Sequence, residues 1–185
     1  MSEPQIPLPV KLIISILFNP EPECASPDVP PEVLTALTEQ FGPLDLQTPV
    51  HPFTRTTYYQ PEMGTPLLRT FLSFSNLVAR DRLADIKLYT NQLEKTHSRE
   101  DGTRRINVDP GLLTMENLIL ASGKNFTHRI YLRNGIFAEI TLLFQNRNYI
   151  DLPWTYPDYA ATDVKSFLRQ VRARLAEDLK TDSRQ

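Results

Sequence analysis

One cysteine, Cys24, stands in the 185 residues, which excludes an internal disulfide and fits a reducing compartment. It lies in the Pro/Glu-rich stretch 19–31 (NPEPECASPDVPP). Neither a basic neighbour nor a clear helix N-terminus is there to lower its pKa, so no reactive role is expected. Long apolar runs are also missing. The longest, residues 12–18, has the length of a strand and not the roughly 20 residues of a membrane span, so no membrane partner is expected. No basic segment leads into an apolar stretch near the start of the chain, so no secretory signal is expected and the cytoplasm is the expected location. Charge of neither sign dominates: 20 Lys and Arg face 22 Asp and Glu, for a net −2. Nothing in that balance favours polyanions in general, and nucleic acid is not the expected partner. Glycine is scarce, six against sixteen prolines, which points to stiff, extended connections.

The common catalytic frameworks are absent too. A phosphate loop needs Gly, four residues, then Gly-Lys-Ser/Thr, so that amides wrap the phosphates and a hydroxyl reaches the metal. Here Asn125 follows Gly123-Lys124, and Leu118 holds the place of the first glycine. There is no GxGxxG for a dinucleotide, no HExxH or paired CxxC for zinc and no GxSxG nucleophile elbow. An Asn-Lys-x-Asp for reading guanine is missing as well. His51, His97 and His128 lie far apart, without the two HxT or HxS repeats of a phosphodiesterase. Cofactor and metal therefore stay unassigned.

What is present is a clear alternation of elements. Residues 1–9 read as a loose Pro-rich tail, 10–180 as a single domain and 181–185 as a loose end. Residues 11–18 are a continuous apolar run, hence a buried central strand. Pro31 opens a helix that Phe41-Gly42-Pro43 ends. Residues 44–53 form a proline-interrupted edge strand, 54–66 a polar aromatic loop and 68–74 a third strand. A helix over about 80–97 buries Leu83, Ile86 and Leu93, while Lys87, Asn91 and Glu94 read as its exposed polar stripe. A strand over 105–109 is expected to stop at a Pro110-Gly111 turn. Residues 117–122 are a further strand, 147–152 another, and a last helix from Thr162 has the apolar face Val164, Phe167, Leu168, Val171, Leu175 and Leu179. The β-α-β-β-α-β order of the first 110 residues predicts an α+β fold. Its core would be ferredoxin-like (split βαβ) with a largely antiparallel sheet, extended by a C-terminal β-meander and a packing helix.

The sharpest local signal is the hairpin over 128–143, closed by Asn134-Gly135. A two-residue loop pairs Arg133 with Ile136, Leu132 with Phe137, Ile130 with Glu139 and His128 with Thr141. His128 and Glu139 then share a face otherwise mostly apolar. A carboxylate accepting from an imidazole suits general acid/base or metal work, and equally a satisfied structural pair. Asp109, before Pro-Gly, joins them as a catalytic candidate, with turn forming as the alternative. Lys124, Arg129 and Arg105 are the candidates for holding an anion. Tyr58, Tyr59 and Trp154, in two aromatic loops, would wall the pocket or plug the end of the sheet.

Several of these segments, in order, carry a family resemblance: PVKLIISILF, FGPLDL, YYQPEMG, DIKLYTNQLE, RRINVDPGLLT, NLILASGKNFTHRIYL, NGIFAEITL and LPWTYPDY. Across about residues 9–175 the chain resembles the bacterial family catalogued as domain of unknown function 4416. The resemblance implies a small single-domain bacterial protein and carries over no activity, cofactor or catalytic residue. The leading expectation is a protein that binds or acts on an anionic small molecule, phosphorylated or nucleotide-like, near the hairpin. The alternatives are an interaction module built on residues 152–159 or an open sheet edge and, third, an RNA binder. Oligomeric state is not legible.

Overall fold

Residues that alternate between two buried faces need cover on both sides, and β1 (Val10–Phe18) is buried along its whole length. In the computed structural model, which describes residues 3–20 and 28–182, β1 lies inside an antiparallel sheet of nine strands. The order is β2 (Leu44–Gln47), β4 (Leu68–Val78), β1, β5 (Ile106–Leu113), β6 (Asn117–Ser122), β8 (Ile136–Gln145) and β7 (Ile130–Arg133). The short β3 (His51–Pro52) pairs with β4, and β9 (Asn148–Asp151) with β8. Leu12, Ile14, Ile16 and Phe18 pack on one face against Val33 and Leu37 of α1 (Pro31–Phe41) and Ile86 and Leu93 of α3 (Leu83–Thr96). Ile13, of opposite parity, packs with Val164, Phe167, Leu168, Val171 and Leu175 of α4 (Thr162–Asp182). The loop over 54–66 carries one further turn of helix, α2 (Gln60–Met63). Cys24 lies outside the described residues. Among those described, no helix is long and apolar enough to cross a membrane.

Two expectations fail, each for a local reason. β5 does not stop at Pro110-Gly111 but runs through it to Leu113. The N–H of Val108 points away from β1 and is taken by a side chain of α3. By alternation the nitrogen of Pro110 points the same way, so the donor that proline lacks is on the side where β6 is already leaving. Gly111 permits the strands to touch just beyond. A Cβ there would lie 2.6 Å from Leu120 Cδ2 and 2.9 Å from the Ile119 carbonyl oxygen. Gly111→Ala is therefore expected to cost about 1–3 kcal/mol, since a backbone atom must move to relieve the contact; urea denaturation measures it.

The hairpin forms at its predicted turn, with Asn134 at φ 53° and Gly135 at φ 76°, and Arg133 pairs with Ile136 as expected. Beyond that the register slips by one. Tyr131 pairs with Phe137 and Ile130 with Ala138, because Leu132 is an extra residue on β7. β7 begins only at Ile130, so His128 is not a strand partner of Thr141. A second irregularity lies in β8 opposite Leu118/Ile119. The single mixed face therefore does not form: Glu139 and Thr141 are buried, whereas Ile130 and Leu132 are exposed.

Candidate functional site

The ladder between β5 and β6 is short. It joins Gly111 to Leu120, Leu112 to Ile119 and Leu113 to Leu118, and ends there. Residues 106–110 thus have no strand beside them on that side, and their backbone groups need other partners. α3 supplies them. Val108 N–H donates to Glu94 Oε1 at 2.7 Å, and the Val108 carbonyl accepts from Lys87 Nζ at 3.1 Å. Lys87 and Glu94 stand two turns apart on one helix face and do for Val108 what a strand would have done. The stripe of Lys87, Asn91 and Glu94, expected in solvent, is accordingly turned inward: Lys87 and Glu94 are buried, and all three line a cavity.

That cavity, of about 360 Å³, opens where the strands part. Its volume is within the range for small-molecule sites, near the lower end. Asn107 and Asp109 of β5 form one side, and Ala121 and Ser122 of β6, with Gly123 and Lys124, the other. Arg69 of β4 and Glu139 of β8 contribute from the same sheet face as Asp109. Tyr58 and Tyr59 from one loop, and Tyr156, Asp158 and Tyr159 from another, complete the wall.

A continuous polar chain crosses the floor. Arg104 grips Glu62 through two bonds of 2.7 and 2.6 Å and donates to Asn107 Oδ1 at 2.7 Å. Asn107 donates to Asp109 Oδ2, and Lys87 donates to Asp109 Oδ1 at 2.9 Å. Burial alone would raise the Asp109 carboxyl, yet Lys87, then Arg69 and the Asn107 amide, hold it below the usual carboxylate value. Burial alone would depress the Lys87 ammonium, but Asp109 and Glu94 keep it above its ordinary value. Glu94 is raised, chiefly by burial and against the pull of Lys87 and the Val108 N–H. Burial and the nearby Asp109 push Tyr59 up to about 12. Near neutrality this is an ionised Asp109 beside a charged Lys87.

The depressed Asp109 makes a pH prediction. Its contribution to stability is whole above the unfolded value, near 3.8, and is lost as pH falls through the lower folded value. Asp109→Asn should flatten the acid limb of a stability–pH curve below about pH 4, even where it lowers stability at neutral pH. Urea melts across that range read the slope. An unchanged slope would contradict the charged pairing.

Six cations line the cavity: Arg55, Arg69, Lys87, Arg104, Lys124 and Arg129. Four carboxylates do: Glu94, Asp109, Glu139 and Asp158. Most of the cations are engaged. Arg69 pairs with Asp158 at 2.7 Å and Arg129 with Glu139 at 2.6 Å. Two at the exposed rim are not neutralised. Lys124 donates to the Tyr58 hydroxyl at 2.9 Å, which draws the Tyr58 pKa down, and makes no ion pair among the described residues. Arg55 has no carboxylate partner among the described residues.

The sequence candidates divide accordingly. Glu139, Asp109, Lys124, Arg129, Tyr58 and Tyr59 converge on the cavity, and His128, Trp154 and Arg105 do not line it. His128 does meet Glu139, Nε2 to Oε2 at 3.2 Å, but from behind. Its ring lies flat on Trp154, centroids 4.6 Å apart and planes 7° apart, and the indole N–H donates to the Ile140 carbonyl. His128 thus helps fix a buried carboxylate, and Trp154 backs the histidine instead of walling the pocket. Arg104 occupies the place expected of Arg105: it precedes β5, outside the alternation of the strand, and donates to Asn107 Oδ1 on the floor. Arg69 and Lys87 were not among the candidates. Arg69 in the apolar run 67–74 was a readable signal, since a charged residue in a buried strand must be paired. Among the described residues, no three His, Cys, Asp or Glu side chains converge as metal ligands.

Compared with known families, the chain matches the model described as a domain of unknown function (DUF4416) over residues 8–175. No curated protein and no solved structure matches it.

Proposed function

Because the chain belongs to the DUF4416 family, a domain of unknown function, we propose its role from the cleft itself: it binds an anionic small molecule between β5 and β6. The observation that carries this is the surplus of cations in a cavity of ligand size, with Arg55 and Lys124 left without carboxylate partners at the rim. An anion entering there gains charge-assisted bonds and breaks no internal ion pair. Ionised Asp109, held by Lys87 and Asn107, is the carboxylate best placed to accept a hydrogen bond or a proton from what binds. Glu139, clamped by Arg129 and His128, shapes the wall.

Thermal melts against phosphate, sugar phosphates, nucleoside monophosphates and small carboxylates test the reading. An anion at 100 times its Kd stabilises by about 2.7 kcal/mol, which for this length is roughly 5–11 °C in Tm. No shift from any anion, or equal shifts from uncharged analogues, would overturn it.

A protein-interaction role is the second reading. It draws on the edge strand β7, where Ile130 is 68% and Tyr131 59% exposed.

A further inference from the structure

Charged lysine and arginine only donate hydrogen bonds, so a hydroxyl that meets one of them accepts and keeps its own proton for another partner. Two tyrosines at the mouth of the cleft are held in this way. Lys124 Nζ donates to the Tyr58 hydroxyl at 2.9 Å, and Arg129 Nη2 donates to the Tyr156 hydroxyl at 2.8 Å. No acceptor among the described residues takes either phenolic proton. Tyr58 is 63% and Tyr156 41% exposed, and both line the cavity, so what enters the mouth can meet them.

The two hydroxyls are gathered around one residue. The Arg129 guanidinium that holds Tyr156 also donates from Nη1 to the Lys124 carbonyl at 2.8 Å, and its Nε is fixed on Glu139 at 2.6 Å. One planar fork thus ties Tyr156 to the backbone of Lys124, while the ammonium of the same lysine ties Tyr58. Each phenol accepts from a charged donor, which polarises its O–H and strengthens the bond it can give. Arg55 and the remaining ammonium protons of Lys124 add to this row of donors. Each of the cavity's four carboxylates is already paired with a cation, Glu139 with Arg129, Asp158 with Arg69, and Asp109 and Glu94 with Lys87. None of them satisfies the row. A group that only accepts, through several oxygens, does. A carboxylate has two oxygens in one plane, whereas a phosphate has at least three spread over a tetrahedron.

On the anion-binding reading of the cleft, we propose that the anion is a tetrahedral oxyanion of the phosphate class, held at the mouth by Lys124, Arg55 and the hydroxyl protons of Tyr58 and Tyr156. The two tyrosines are then binding residues through their hydroxyls and not through their rings.

Calorimetric titration with inorganic phosphate, methyl phosphate and acetate, on the wild type, Tyr58→Phe and Tyr156→Phe, tests the proposal. The wild type should bind a phosphate more tightly than acetate, and whichever of the two phosphates is tighter tells a free ion from an ester. Each Phe variant should weaken that phosphate by about 10–100-fold, the worth of one hydrogen bond to a charged group, and should narrow its preference over acetate. Phenylalanine keeps the ring and both residues are exposed, so Tm should hardly move. Phosphate binding in either variant as tight as in the wild type, or tighter, overturns the proposal. Acetate bound by the wild type as tightly as both phosphates also overturns it and leaves the anion site standing. Binding of none of the three probes overturns it outright, and the wider anion panel then decides the fate of the cleft reading.

Discussion

Replacing Lys87 with methionine is expected to lower folding stability by about 3–5 kcal/mol, read as a fall of roughly 6–20 °C in Tm. Lys87 side-chain exposure is 8%, and its ammonium serves three groups at once: Asp109 at 2.9 Å, the Val108 carbonyl at 3.1 Å and Glu94 at 3.9 Å. Methionine keeps the stem that fills the gap between β5 and β6 but removes the charge. Two carboxylates then face each other with less compensation, and a strand carbonyl loses its donor. Surface substitutions elsewhere on α3 should stay within about 0.5 kcal/mol. The double variant Lys87→Met, Asp109→Asn should recover part of the loss, because what destabilises is an unpaired buried charge. A loss below about 1 kcal/mol in the single variant would mean that α3 does not stand in for the missing strand.

The second large effect is on binding. Arg55→Ala with Lys124→Ala should reduce affinity for the preferred anion by about 100-fold, taking the lower end for two hydrogen bonds to a charged group. Stability should hardly change, because both residues are exposed and neither carries an ion pair among the described residues. Wild-type affinity should also fall with rising salt, and that dependence should weaken in the double variant. Calorimetry at two ionic strengths reads both effects. An unchanged affinity would place the anion elsewhere.

These two predictions rest on features with very different visibility in the sequence. The frame was readable: an unbroken apolar run became β1, a proline-interrupted stretch became the edge strands β2 and β3, and the 3.6-residue stripe of α4 is the one that packs. The Asn-Gly turn correctly brought His128 to Glu139, although through a bulged register. What stayed hidden was the parting of β5 from β6. Lys87, Asn91 and Glu94 look like any solvated helix face until a strand edge is left open for them to cap. Pro110 was the clue, read as the end of a strand when it marks the end of a pairing. Arg104 precedes β5, so strand alternation could not foretell that it, and not Arg105, would reach the floor. Residues set in apolar strands, such as Arg69 and Ser15, were likewise visible in composition but had no assigned partners.

The central claim is that the ligand site is the cleft where β5 and β6 separate. The most direct measurement is amide chemical-shift mapping of the wild-type protein during titration with the anion that gives the largest thermal shift. The account predicts concentration-dependent shifts clustered at residues 107–109 of β5, 122–125 after β6, and the Tyr58–Tyr59 loop. Shifts confined to β7 and the Trp154 loop, or scattered over the α1 face, would contradict it.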